Sequence, residues 1–132
     1  MSQELFISGS RIEYSEAFSG LGKIRRNYEE NDIAKVRSSA LITYGRRLDN
    51  AIALINRGFL EGDYGFKNLE LIEKFDKVPK DYVKFSKKLW YSNNIKEILN
   101  AAEELWENIR IFAKVHNFEV KTMHAESIDK II

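Results

Sequence analysis

Apolar residues recur at helical spacing along most of this chain, and this pattern limits the possible folds more than any other feature. The clearest segment follows Asn94, which forms a capping-box pattern with Glu97 and so predicts the start of a helix. Asn117 is a residue type that commonly ends one. The apolar positions between them are Ile95, Ile98, Leu99, Ala102, Leu105, Trp106, Ile109, Phe112 and Ala113. Such a helix must pack one face against other helices.

Two further helices are predicted in the first half of the chain. Ser10 and Glu13 form a second capping box, which predicts a helix that begins at Ser10. Its buried face would carry Ala17, Leu21, Ile24 and Tyr28. Gly20 and Gly22 weaken this helix and indicate close approach of a neighbour. The second helix is predicted over 32–57, capped by Asp32. Its apolar stripe is Ala34, Leu41, Tyr44, Leu48, Ala51, Ile52, Ile55 and Phe59.

Shorter helices complete the pattern. One is predicted over 66–75, and Pro79 suits the first position of another. We therefore predict an all-α fold, an up-and-down antiparallel four-helix bundle with an extra short helix and an extended C-terminal tail. Residues 1–132 would form a single domain, with the bundle over 9–117 and the tail over 118–132. We interpret the tail as an extended arm or a partner-binding segment.

Composition excludes several classes of protein. The 132 residues carry 21 basic and 20 acidic side chains and no cysteine, which excludes a disulfide framework and a thiolate zinc site. No apolar run reaches the length of about 18 residues that a spanning helix needs, and the N-terminus lacks a secretory pattern. We expect a cytoplasmic protein with no membrane partner. Residues 67–96 hold eight lysines against four acids, a bias that is typical of a solvated face.

Patterns for metal, phosphate-loop and nucleophilic chemistry are absent. His116 and His124 are the two histidines, and no Glu-x-x-His pair accompanies them. The sequence has neither a phosphate-binding Gly-x-x-x-x-Gly-Lys loop nor a strand-turn-helix serine. We therefore expect no metal and no cofactor.

A polar stripe on the second predicted helix is the first candidate site. It consists of Arg46, Asp49, Asn50, Asn56 and Arg57. Such a stripe would suit the wall of a cleft, because arginine binds phosphate and carboxylate groups well. The alternative is an ordinary solvated face that contains an ion pair between Arg46 and Asp49.

The run Arg-Arg-Leu-Asp-Asn-Ala-Ile-Ala-Leu-Ile-Asn-Arg-Gly-Phe over 46–59, Lys67, and the segments 77–82 and 101–107 carry a family resemblance. They resemble the helical domain that follows the catalytic domain in kanamycin-type and archaeal nucleotidyltransferases, over roughly residues 14–118. In that family the module is a four-helix bundle of the HEPN group, which binds substrate or pairs with a nucleotidyltransferase subunit. The matching site positions are Asn56, Arg57 and Lys67.

No catalytic domain precedes the bundle in this sequence, which departs from the family pattern. The resemblance therefore implies a non-catalytic binding and association module. It would bind a nucleotide-type substrate through Arg46, Asp49, Asn50, Asn56, Arg57 and Lys67. Its partner would be a nucleotidyltransferase catalytic subunit or a second copy of this chain.

A second hypothesis comes from the HEPN ribonucleases, which carry an arginine and a histidine four to six residues apart that face a dimer-related copy. Arg110 and His116 have that spacing, although Ile111 stands where the family usually has a polar residue. The histidine would act as acid or base and the arginine would stabilise the phosphorane charge, with no metal. Nucleic acid is a partner only under this hypothesis. The competing interpretation of His116 is a helix-end residue.

Overall fold

The computed structural model describes residues 3–57 and 66–119, and within these ranges the chain is helical with no strand. The predicted all-α bundle is confirmed. The elements are α1 (Gln3–Glu29), α2 (Ile33–Ser38), a π-helical segment (Ser39–Gly45), α3 (Arg46–Ile55), α4 (Phe66–Glu73), α5 (Tyr82–Tyr91) and α6 (Ile95–Val115). Helix α1 packs along α3 and the π segment, and α5 packs on α6. None of the described helices is long and apolar enough to cross a bilayer.

Helix α1 begins at Gln3, so the predicted start at Ser10 is wrong. Ser10 lies inside the helix, fully buried, and its hydroxyl donates a hydrogen bond to the carbonyl oxygen of Ala51 at 2.8 Å. The serine therefore links α1 to α3 by a hydrogen bond and does not cap a helix. The predicted apolar face is confirmed, since Ala17, Leu21 and Ile24 are fully buried, and Tyr28 is half-buried against the core.

The second predicted helix is interrupted by the π segment. Its start is confirmed, because the Asp32 side chain accepts a hydrogen bond from the backbone N–H of Lys35 at 3.1 Å. A π turn holds an extra residue, so the positions before it leave the predicted stripe. Ala34 is accordingly exposed, whereas Tyr44 and Leu48 are fully buried. Phe59, also predicted in this stripe, lies outside the described residues.

Gly20 is the point of closest approach between α1 and the π segment. A Cβ atom at Gly20 would lie 2.4 Å from the carbonyl oxygen of Thr43. A Cβ atom at Gly22 would meet nothing within 4 Å. The expectation of close helix approach is therefore confirmed for Gly20 and wrong for Gly22.

Helices α5 and α6 differ in how well their starts were predicted. Helix α5 begins at Tyr82, three residues after Pro79, because Asp81 adopts a left-handed conformation (φ 54°) that interrupts a helix. For α6 the Asn94 cap is confirmed: its side chain accepts from the Glu97 N–H at 3.0 Å. Asn117 is left-handed (φ 63°) and follows the end of α6, as predicted.

Phe118, which the sequence places in the tail, belongs to the core. It is fully buried, and its ring centroid lies 5.8 Å from those of both Tyr14 and Phe112. Arg11 holds the same stretch by donating to the carbonyl oxygens of Asn117 (3.0 Å) and Glu119 (3.3 Å). The chain after α6 thus returns to α1. Residues 120–132 of the predicted tail, including His124, lie outside the described part.

Candidate functional site

A cavity of about 280 Å³ lies where α3 and α6 end, next to the first turns of α1. It is lined by Phe6, Ile7, Ile55, Arg57, Lys77, Val115, His116 and Asn117. Three of these side chains are basic residue types, and none of the described lining residues is acidic. We call this cavity the basic pocket.

Arg57 reaches the basic pocket from the end of α3. Its backbone is left-handed (φ 55°), a conformation that commonly ends a helix but is costly for a residue with a side chain. Its guanidinium carbon lies 5.4 Å from the centroid of the Phe6 ring on α1. A cation over an aromatic face is stabilised by the ring quadrupole.

Asn56 fixes the main chain of Lys77 in the loop between α4 and α5. The Asn56 side-chain amide donates to the Lys77 carbonyl oxygen at 2.7 Å and accepts from the Lys77 N–H at 2.9 Å. It also donates to the carbonyl oxygen of Ile52, within α3, at 2.8 Å. Asn56, a predicted binding residue, is thus a positioning residue for the lysine of the pocket.

His116 lies at the end of α6, half-buried, with its ring centroid 4.4 Å from that of Phe112. Burial, and secondly the positive charge of Lys77, lower the pKa of His116 below its usual value of 6.5. The imidazole is therefore neutral at pH 7. A neutral imidazole offers one hydrogen-bond donor and one acceptor, so it can bind a protonated or an unprotonated ligand oxygen.

Two helix ends contribute to the charge of the basic pocket. The C-terminal ends of α3 and α6 both adjoin it, and each helix end carries roughly half a negative charge. The cationic side chains of Arg57 and Lys77 line the pocket beside these ends and compensate them. Part of the basic character of the pocket therefore stabilises the fold.

Asp49 lies elsewhere, between α3 and α5, and accepts a hydrogen bond from the Tyr82 hydroxyl. Burial raises the pKa of Asp49 to about 7, although the Tyr82 hydrogen bond opposes this shift. Arg46 and Asp49 share a narrow crevice whose volume is only about 10 Å³, which is hardly enough for one water molecule.

The six predicted binding residues are therefore divided. Asn56 and Arg57 lie at or beside the basic pocket, whereas Arg46 and Asp49 lie at the first turn of α3, about 10–16 Å away along the helix axis. Asn50 is partly buried within α3. Lys67 belongs to α4, and its side chain lies outside the described part of the structure.

The two residues of the ribonuclease hypothesis lie on different sides of α6. They are six positions apart in sequence, which turns their side chains about 120° apart around the helix. Arg110 is exposed and forms an ion pair with Glu107 (2.8 Å), while His116 lines the basic pocket. Arg57, by contrast, lines the same cavity as His116.

Sequence reasoning missed Lys77 and Phe6 as members of a site. Lys77 belongs to the lysine-rich region of the sequence, but only the fold brings it beside Arg57 and His116. The described residues contain no group of three or more His, Asp or Glu side chains that could hold a metal ion. Comparison of the chain with protein-family models, curated proteins and solved structures finds no match.

Proposed function

We propose that this chain is a non-catalytic helical binding module whose ligand is a phosphate-bearing molecule of the nucleotide type, bound in the basic pocket. One observation carries the proposal: Arg57, Lys77 and His116 surround a cavity of about 280 Å³ with no acidic residue among its described lining. Arginine and lysine are the usual phosphate-binding side chains. The resemblance to nucleotidyltransferase-linked domains supplies the nucleotide class.

The proposal includes association with a nucleotidyltransferase catalytic chain or with a second copy, as that resemblance implies. In such an assembly this chain would supply binding and the partner would supply chemistry. Co-purification from the source cell with a nucleotidyltransferase, read by mass spectrometry, is the expected result for the first partner.

Binding is tested by thermal shift and calorimetry with ATP, ADP and inorganic phosphate. At about 100 times Kd a ligand adds about 2.7 kcal/mol of stability, which raises Tm by roughly 8–10 °C for a domain of this size. We expect Arg57→Gln and Lys77→Gln to abolish the shift and Arg57→Lys to retain part of it. Arg46→Gln is the matched control, because it removes an arginine of the predicted stripe outside the pocket.

A failure to bind any of the three probes would contradict the proposal. So would a shift that survives in Arg57→Gln and disappears in Arg46→Gln, since the ligand would then occupy the start of α3. A thermal shift that is lost in Arg57→Gln and partly retained in Arg57→Lys supports recognition of the ligand by charge within the pocket.

The metal-independent ribonuclease is the second candidate, because His116, the residue type of a general base, lines a cavity beside two cationic side chains that suit a phosphate. Its arginine would be Arg110 supplied across a dimer, and Arg110 is held by Glu107 in this chain. We expect no RNA cleavage above background in chelator-treated protein. If the parent protein cleaves RNA and both His116→Ala and Arg110→Gln lose that activity, the ribonuclease hypothesis would replace the binding proposal.

A further inference from the structure

Helix α5 presents a lysine-rich face to solvent. Tyr82, Ser86 and Leu89 are buried on its inner side. The opposite side carries Lys84, Lys87, Lys88 and Tyr91, whose spacing of three and four residues places them in one stripe. We call these four residues the α5 stripe. Tyr91 is 60% exposed, which is unusual for so large an aromatic side chain.

The charge of the α5 stripe is of one sign over a long stretch of chain. Residues 82–96 contain four lysines and no aspartate or glutamate. Lys88 lies in the last turn of α5, where it compensates part of the negative charge of the helix end. It also lines a cavity together with Glu97 and Glu104 of α6. The stripe itself carries three lysines and no acidic side chain, although the whole chain has a net charge of only +1.

Aromatic rings lie among these lysines. The ammonium nitrogens of Lys84 and Lys88 lie 5.4 and 5.8 Å from the centroid of the half-buried Phe85 ring. Tyr91 follows one turn after Lys87 and Lys88, at the end of the helix. Lysines that bind phosphates next to an exposed ring that can stack on a base are the combination that single-stranded nucleic acid requires.

We propose that the α5 stripe is a docking surface for single-stranded nucleic acid, in which the lysines bind backbone phosphates and Tyr91 stacks on a base. Duplex DNA fits less well, because its bases are stacked on one another and leave no free base face for the Tyr91 ring. A membrane surface fits less well too, because lipid-binding helices insert a row of apolar side chains, and those of α5 other than Tyr91 are buried or pack against the core. The inference uses other residues than the basic pocket and does not depend on it.

The test is fluorescence anisotropy with labelled oligo(U) and oligo(dT) of about 20 nucleotides, long enough for one site. Three phosphate contacts predict that log K falls with log salt with a slope of about −2 for a single strand. The triple variant Lys84→Gln/Lys87→Gln/Lys88→Gln should weaken binding at least about tenfold and flatten this slope. Tyr91→Ala should weaken it about fivefold or more, while Tyr91→Phe should restore it, since a phenyl ring still stacks.

The matched control is Lys23→Gln/Arg26→Gln/Lys114→Gln, which removes the same charge from three other exposed positions. Helical circular dichroism establishes that each variant is folded. Affinity retained in the control and lost in the α5 variant supports the proposal. The proposal fails if neither oligonucleotide binds, if both triple variants lose affinity equally, or if vesicles of phosphatidylserine and phosphatidylcholine displace the oligonucleotide through the same lysines.

Discussion

At the scale of single residues, Asp49 and Tyr82 form a polar pair in an apolar setting. Tyr82 is buried on α5, and its hydroxyl donates to the Asp49 carboxyl on α3. Burial raises the pKa of Asp49 to about 7 from an ordinary value of 3.8. For the same reason, and because Asp49 is near, the pKa of Tyr82 lies well above its usual range. The pair joins two helices at the cost of enclosing a carboxyl group.

This cost makes stability depend on pH. Between about pH 4 and pH 7 the unfolded chain has lost the Asp49 proton and the folded chain keeps it. The contribution of Asp49 to the free energy of unfolding therefore falls as pH rises through that window and is constant above it. We expect Asp49→Asn to raise the free energy of unfolding at pH 8 by about 1–3 kcal/mol, because the amide oxygen still accepts from Tyr82 without a charge.

Urea denaturation at pH 4.5, 6 and 8 measures this effect. Asp76→Asn is the control, since that aspartate is exposed. An Asp49→Asn variant that is less stable than the parent at pH 8 would show that the ionised carboxylate is favourable in the fold.

At the scale of elements, helix caps that depend on neighbouring residues were predictable from the sequence, whereas contacts between distant segments were not. Asp32 and Asn94 were identified as helix caps because a cap bonds to backbone three residues away. Ser10 has the same sequence pattern, but its hydroxyl bonds to Ala51, 41 residues away. The π segment was missed because a periodicity of 3.6 cannot register one extra residue in a turn.

The candidate site shows the same division. Arg57 and His116 were each identified from the sequence, but under separate hypotheses of function. Their common cavity depends on how α3 and α6 end against α1, and on the loop that carries Lys77. Sequence spacing along one helix cannot predict a meeting of three separate segments.

Gly20 and Gly22 allow the α1 packing to be tested with one type of substitution. Gly20→Ala should destabilise the protein by about 2–3 kcal/mol, because its Cβ would collide with backbone atoms of Thr43 and Tyr44, which cannot turn aside. Gly22→Ala should stabilise it by about 1 kcal/mol, since alanine favours a helix and this position is open. Thermal denaturation of both variants measures the difference. Equal effects would mean that α1 does not approach the π segment so closely.

At the scale of the whole molecule, the core joins α1 to the chain beyond α6. Tyr14 stacks on Trp106 with ring centroids 4.9 Å apart and meets Phe118 edge-on. Leu105 on α6 and Phe118 are 1% and 0% exposed. Both ends of the described fold therefore depend on one aromatic cluster.

We expect Phe118→Ala to lower the free energy of unfolding by about 3–5 kcal/mol, and Leu105→Ala by about 2–5 kcal/mol, because each leaves a cavity in the core. Ile111→Ala is the control: this side chain is 55% exposed, and its loss should change stability by no more than about 0.5 kcal/mol. Chemical denaturation ranks the three variants. A Phe118→Ala variant as stable as Ile111→Ala would show that Phe118 does not pack in the core.

The contact between Tyr14 and Phe118 can form only late in the synthesis of the chain. At about 5–20 residues per second, Phe118 is added roughly 5–20 s after Tyr14. Helix α1 can pack on the π segment and α3 well before that time, because both are synthesised soon after it. The surface around Tyr14 is therefore the part of α1 that stays open to chaperones longest, until the end of α6 and the residues after it are translated.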